Sequence, residues 1–149
     1  MSYTRFAAMI ATSTVVMFVL MYTTIFTIDH VQWSQTKFWM ALCMGGTMAI
    51  IMLAFMLSMY RDARKNVAIF VGSAVVIVAS MFLVRSQTTV DDVSYMKAMI
   101  PHHSIAILTS ERAEIDDPRV RELADQIIEA QRTEIAEMER LIDDLESGD

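Results

Sequence analysis

Three long apolar runs alternate with short polar segments over the first 85 residues of the chain. The runs cover residues 6–28, 38–60 and 66–84, and none of them contains a charged side chain. Each run has about 20 residues, the length that a helix needs to cross a hydrocarbon core about 30 Å thick. A cleaved signal peptide is the alternative for the first run, but that run exceeds a typical signal core and no small-residue cleavage site closes it. The pattern therefore predicts a three-helix transmembrane domain in residues 1–85.

After the last of these runs, the apolar positions adopt a helical period. Between residues 118 and 145 they recur every three or four positions, and Glu and Arg fill most of the places between them. Asp117 and Pro118 suit the N-cap and the first position of this helix. A preceding helix is expected to open at a capping box in residues 89–92. Residues 86–149 are therefore predicted to form a helical hairpin domain.

Together these elements predict an all-α protein, with three transmembrane helices followed by an extramembrane antiparallel helical hairpin. Two helices alone bury little surface, and a hairpin from a second chain would complete a four-helix bundle. The expected partners are therefore the lipid bilayer and a second copy of the chain, in a homodimer or a higher homo-oligomer.

Charge divides the chain at nearly the same boundary. Residues 1–84 carry five basic and two acidic side chains, whereas residues 85–149 carry seven basic and sixteen acidic ones, a net charge of −9. This acidic balance argues against a nucleic-acid partner, because phosphate binding needs a basic surface. The N-terminus and residues 61–65 hold four of the basic side chains that flank the apolar runs. This bias predicts a plasma (inner) membrane protein with a cytoplasmic N-terminus and an external hairpin, periplasmic or extracellular.

The most distinctive chemistry lies just beyond the third apolar run, where two thioethers and two imidazoles fall within eight residues. Met96, Met99 and His103 lie within about 60° of one another on an α-helix, whereas His102 lies about 100° from its neighbour. Pro101 is expected to kink this helix, or to restart it with the proline in its first turn. Thioether and imidazole ligands favour Cu(I) or Ag(I) over zinc, so the segment is a candidate soft-metal site.

The second helix of the hairpin offers the other half of such a site. Its apolar seam is interrupted by Gln131 and Glu134 and continues with Met138. If the turn centres near residue 116, antiparallel packing sets Glu134 level with residue 98 and Met138 level with residue 94. Two facing sets of this kind can surround one ion, with Glu134 as a direct or an outer ligand.

Ordinary roles for the same residues stay open as an alternative. The three methionines can be core residues, because Met is apolar and adaptable. The two histidines of the segment can form caps or hydrogen bonds, and Glu134 can be solvated. His30, on the same side of the membrane, is left out of the site, because a helix that continues straight from Val84 places His102 about 27 Å farther on.

The second apolar run carries a methionine at every helical turn, at Met40, Met44, Met48, Met52 and Met56. One interpretation is a ladder of thioethers that passes a cuprous ion across the bilayer. The other is helix packing, because i,i+4 rows are where helices meet and Gly45-Gly46 lies beside the row. No acidic, basic or histidine side chain within the apolar runs marks an ion path, so packing is the prediction. The single cysteine, Cys43, lies in the same run and excludes an intrachain disulfide.

The hairpin sequence resembles the domain of unknown function 305 family over about residues 89–145. The resemblance rests on Met-Ile-Pro-His-His at residues 99–103 and on the spaced Gln131, Glu134 and Met138. It implies a ferritin-like helical hairpin, often exported, some of whose members bind copper or silver through Met and His. The three-span part resembles a membrane-anchored subgroup of that family, although Thr109 stands where many relatives have a Met. Carried over residue by residue, the resemblance marks as candidate ligands Met96, Met99, His102, His103 and Met138.

These observations predict a membrane-anchored copper or silver binding protein that acts as a chaperone or buffer in metal homeostasis or tolerance, with a partner that delivers or receives the metal. The alternative is a structural or regulatory membrane protein whose hairpin mediates oligomerisation or partner binding without metal. An enzyme is not expected, because the chain has no Glu-x-x-His pair, no nucleophile with a base and no phosphate-binding glycine loop. The candidate metal residues are Met96, Met99, His102, His103, Glu134 and Met138.

Overall fold

The computed structural model describes residues 2–148, and every regular element in that range is helical. Three helices, α1 to α3, are long and apolar enough to cross a membrane, and two further helices follow them. The all-α fold class predicted from the sequence is therefore confirmed. The elements are α1 (Tyr3–Leu20), a short 3₁₀ helix (Ile28–His30), α2 (Gln35–Phe55), α3 (Ala63–Ser86), α4 (Asp92–Arg112) and α5 (Pro118–Ser147).

The chain divides into two compact units that are not contiguous in sequence. One unit contains the chain up to Met21 together with Thr36–Thr89, and it holds α1 and α3 and nearly all of α2. The other contains Tyr22–Gln35 together with the chain from Val90 onward, and it holds α4 and α5. The connection between α1 and α2 therefore belongs to the hairpin unit, whereas a division by hydropathy assigns it to the membrane domain.

Close helix contacts shape the unit formed by α1, α2 and α3. Gly45 and Gly46 of α2 are both buried, and a Cβ on Gly45 would collide with the side chain of Thr14 in α1. A Cβ on Gly46 would lie 3.0 Å from Cγ1 of Ile77 in α3. The adjacent glycines thus let a helix approach α2 on each side, which is the role that small residues have between apolar helices.

The first apolar run ends as a helix earlier than its hydropathy predicts. The run continues to residue 28, but α1 ends at Leu20 and begins already at Tyr3. Threonines are frequent beyond the helix end and disfavour helix propagation. Phe26 instead packs against the core of the hairpin, and its backbone N–H donates to Ser104 Oγ at 2.7 Å. Tertiary packing of this aromatic side chain therefore decides where the helix stops.

Helices α4 and α5 form an antiparallel hairpin around an apolar seam. Each core position lies four or seven residues from the next along its helix, so that one stripe of each helix faces the other. Pro101 lies inside α4 and is buried, and the helix continues through it without the restart that the sequence suggested. Packing along the whole seam compensates for the one backbone hydrogen bond that the proline removes. The core residues are Met96, Ile100, Ile107, Ile128, Ile135 and Ile142.

Aspartate side chains cap both helices of the hairpin. The Ser94 backbone N–H donates to Asp91 Oδ1 at 2.7 Å, and the Arg119 backbone N–H donates to Asp117 Oδ1 at 2.9 Å. Asp117 is thus the N-cap that the sequence predicts, whereas α4 is capped by Asp91, two residues later than the expected capping box. Hydrogen bonds from the Arg119 guanidinium and backbone hold the pKa of the Asp117 carboxyl below its usual range. The Asp117 carboxylate therefore stays ionised, and its negative charge interacts favourably with the positive N-terminal end of the α5 dipole.

Candidate metal centre

An open groove of about 720 Å³ runs along the hairpin between α4 and α5. Five of the six residues that the sequence nominates as metal ligands line it, three from α4 and two from α5. Three of these side chains are thioethers, which are soft donors, and the other two are an imidazole and a carboxylate. These five residues are Met96, Met99, His103, Glu134 and Met138.

The methionines reach the groove from the hairpin seam. Met96 is buried at 7% exposure and belongs to the core, and Met138 is half-buried and packs against that core. Met99, one turn beyond Met96, is also half-buried. These methionines thus line the groove and are partly or fully buried, and packing restricts their side chains before any ligand arrives.

His103 is held at both ring nitrogens. Its Nδ1–H donates to the Met99 carbonyl oxygen at 3.0 Å, and Nε2 lies 2.8 Å from Glu134 Oε2. The carbonyl contact orients the ring and leaves Nε2 as the nitrogen that meets the groove. Because carboxylate oxygen only accepts, the contact to Glu134 requires a proton on Nε2. A metal ion bound at Nε2 would take the place of that proton.

Exposure separates the two neighbouring histidines. The His103 side chain is 14% exposed, whereas His102 is exposed and does not line the groove. The two ring centroids lie 6.2 Å apart. The structure therefore brings His103 together with the methionines and leaves His102 on the outside of α4, as the helical period indicates.

The register of the hairpin differs from the simple count from the turn. Centring the turn near residue 116 sets Glu134 opposite residue 98, but its carboxylate reaches His103. Helical side chains lean toward the N-terminus of their own helix, which is away from the turn in α4 and toward the turn in α5. The partner of an α4 side chain therefore lies farther along α5 than the backbone count predicts. Lys97, which pairs with Glu146, is displaced in the same direction.

Three further carboxylates line the groove and were not predicted from the sequence. Asp92, Glu137 and Asp144 line it together with the predicted residues. The helical spacing could have indicated two of them, because Glu137 and Asp144 are two turns apart on the face of α5 that carries Leu141. Acidic side chains around an opening raise the local concentration of cations.

His30 contacts the hairpin, although not at the groove. Its Nδ1 lies 2.9 Å from Ser104 Oγ, which also accepts from the Phe26 backbone N–H. Ser104 is fully buried. The connection between α1 and α2 thus places this histidine against α4. The sequence left His30 out of the metal site on the assumption that the helix after Val84 continues straight, and His30 does not line the groove.

Histidine, cysteine and carboxylate side chains by themselves do not form a metal centre in the described part of the chain. Within residues 2–148, no three or more His, Cys, Asp or Glu side chains are grouped so that they could hold a metal ion. A metal ion in the hairpin groove would therefore depend on thioether sulfur for part of its coordination. Thioethers are the ligands that soft monovalent ions prefer.

The comparisons with known proteins agree with this division of the chain. Three membrane-length helices and a helical hairpin define the class of protein, and residues 83–147 match the family described as Domain of unknown function (DUF305). A protein of Acanthamoeba polyphaga mimivirus, described as Uncharacterized protein L153, is 33% identical over 119 residues, which cover 78% of this chain and 76% of that protein. The chain belongs to the DUF305 family.

The similarity to the mimivirus protein is not confined to the hairpin. An alignment of 119 residues is longer than the family domain at residues 83–147, so it extends into the apolar helices that precede the domain. The combination of apolar helices and hairpin is therefore shared, at least in part, between the two proteins. No solved structure matches the chain.

Proposed function

We propose that this protein is a membrane-anchored binding protein for Cu(I) or Ag(I), which serves as a metal chaperone or buffer and not as an enzyme. The observation that carries the proposal is the groove that three methionines line together with His103 and Glu134, whose side chains contact each other. Thioether and neutral imidazole are soft or borderline ligands that suit monovalent d¹⁰ ions. The groove is open, which suits an ion that is taken up and passed on to a partner protein.

The charge of the site also fits a monovalent cation. Glu134 contacts His103, and its carboxylate would offset the charge of a Cu(I) ion bound at that histidine. The carbonyl of Met99 would keep the imidazole oriented as an outer ligand. The carboxylates that line the groove would favour the approach of a cation or of a basic delivery partner.

The membrane arrangement belongs to the same proposal. The N-terminus and the α2–α3 connection, with Arg5, Arg61, Arg64 and Lys65, would face the cytoplasm, because basic flanks are retained there. The hairpin would then face the outside of a plasma (inner) membrane, in the periplasm or the extracellular space. Thioether ligands suit an oxidising compartment, because they cannot be consumed by disulfide formation.

The two adjacent histidines provide a direct test. Replacing His103 by alanine should weaken Cu(I) binding roughly 10–100-fold, because the substitution removes a ligand together with its Glu134 contact. His102→Ala is the matched control, since it removes the same chemical group from the next position outside the groove. The measurement is a competition titration of the full-length protein in nanodiscs against a chromophoric Cu(I) chelator.

The same titration distinguishes the outcomes. Equal losses of affinity in both variants would mean that the histidines bind without regard to the groove, and unchanged affinity in His103→Ala would refute the proposed ligand set. Cu(I) should also raise the stability of the wild-type hairpin by about 2.7 kcal/mol when its free concentration is about 100 times Kd. Indifference of the unfolding transition to Cu(I) would favour a structural role for the hairpin.

A self-association function is the second candidate, and an uncovered stripe on α5 supports it. Val120, Leu123 and Ile127 are 49%, 55% and 36% exposed and recur with helical period. A second copy of the hairpin would cover the stripe and complete a four-helix bundle.

Charge on this stripe should prevent association. Leu123→Glu combined with Ile127→Glu is expected to convert a dimer to a monomer, because paired carboxylates cannot be buried without partners. Gln126→Glu, also exposed on α5, is the control. Sedimentation of the full-length protein in detergent gives the mass, and a monomeric wild type would contradict the second candidate.

A further inference from the structure

A second group of sulfur atoms lies in the unit formed by the apolar helices, outside the hairpin. A groove of about 450 Å³ is lined by four methionines and the only cysteine of the chain, together with two other side chains. We propose that this groove is a second soft-metal site, which binds one Cu(I) or Ag(I) ion through the thiolate of Cys43 and neighbouring thioethers. The residues that line it are Met17, Cys43, Met44, Thr47, Met48, Ile51 and Met52.

Only some of the methionines in the row along α2 line this groove. Cys43, Met44 and Met48 lie within about 140° of one another around the helix axis. Met17 comes from α1, so the donors belong to two helices and not to one packing row. Met40, at the start of the same row, is not among the lining residues. Tertiary packing thus assembles a sulfur cluster that the periodicity of α2 alone does not define.

Charge explains why a cysteine matters in this position. A cation surrounded only by thioethers keeps its full charge, which is costly to hold among apolar helices. One thiolate and one monovalent ion form a neutral pair, and the uncharged thioethers complete the coordination. Cys43 is half-buried, so the thiol is shielded by its neighbours yet open to the groove.

Binding at this site is an exchange of one proton for one metal ion. The Sγ–H bond of Cys43 breaks, its proton passes to the buffer, and an Sγ–metal bond forms while the ion keeps its +1 charge. No electron is transferred, so Ag(I) is a suitable probe that needs no reductant. Release of a proton on addition of Ag(I) therefore reports formation of the Sγ–metal bond.

Alkylation of Cys43 measures occupancy of the site in the full-length protein in nanodiscs. Silver nitrate should protect the thiol from N-ethylmaleimide, and Met17→Leu/Met48→Leu should raise the Ag(I) concentration for half-protection by about tenfold or more. The control Met9→Leu/Met40→Leu/Met81→Leu replaces exposed methionines outside the groove and should leave that concentration unchanged. Equal protection of the groove variant and the wild type would overturn the proposal, because silver would then be bound by the thiol alone.

Proton release separates this site from the hairpin groove. In a protein whose hairpin ligands are replaced, Met96→Leu/Met99→Leu/Met138→Leu/His103→Ala, addition of Ag(I) should still release one proton per chain, and Cys43→Ser should abolish the release. The result is independent of whether the hairpin binds metal, since the residues belong to the other compact unit. Absence of proton release from Cys43 in this background would contradict the second site.

Discussion

Replacing Met96, Met99 and Met138 together by leucine is expected to weaken Cu(I) binding at the hairpin by roughly 100-fold or more, because every thioether donor of the groove is lost. Leucine keeps the apolar character and nearly the volume of methionine, so the hairpin should stay folded. Competition titration of the full-length protein against a Cu(I) chelator gives the affinity, and circular dichroism checks the helix content.

The control for this variant changes the same number of methionines elsewhere. Met9→Leu/Met40→Leu/Met81→Leu alters exposed residues of the apolar helices and should leave the hairpin affinity as it is. If both triple variants bind Cu(I) as the wild type does, the groove methionines are packing residues, and the proposed copper function loses its main support. Both triple variants and their wild-type reference carry Cys43→Ser, so that the groove at Cys43 contributes no thiolate and the titration reports the hairpin.

Truncation of Ile100 to alanine is expected to destabilise the hairpin by about 2–5 kcal/mol, the usual loss when a large aliphatic core side chain is removed. Ile100 is fully buried and packs in the core cluster that also contains Met96. The cavity would lie beside the groove, so the methionine ligands would lose part of their support as well. Amide hydrogen exchange across α4 and α5 measures the opening free energy in the full-length protein.

Ile127→Ala is the matched control for the core prediction. The residue type is the same, but Ile127 is 36% exposed on the outer face of α5. Its loss should change stability by no more than about 0.5 kcal/mol if the surface is free. A large effect at Ile127 would indicate that a second hairpin covers this face, and a small effect at Ile100 would contradict the packing of the seam.

Much of the fold could be predicted because the two parts of the chain have different hydrophobic patterns. The first part consists of long uninterrupted apolar runs, whereas apolar residues of the hairpin recur with the helical period. Runs of about 20 uncharged residues define the three membrane-length helices. Asp117 and Pro118 mark the start of α5 because the cap and the first helical position impose local chemistry. The end of α1 could not be predicted, because Phe26 leaves the apolar run to pack on the hairpin core.

The sequence could predict which helix face carries each candidate ligand, but not how far α4 and α5 are shifted along each other. Helical period places Met96, Met99 and His103 on one face and His102 away from it, and the structure has this arrangement. Period says nothing about the axial offset between two helices. The contact between Glu134 and His103 is therefore displaced from the expected level.

The sequence by itself determined the presence of the helices, the N-cap of α5 and the faces on which the donor side chains lie, because these properties depend on neighbours within one or two turns. Only the tertiary structure decided the register of α4 against α5, the packing of Phe26 and His30 on the hairpin, and the meeting of Met17 with Cys43. These contacts join residues far apart in the chain. Their geometry depends on how whole helices pack, and side-chain volume and direction settle it across the interface.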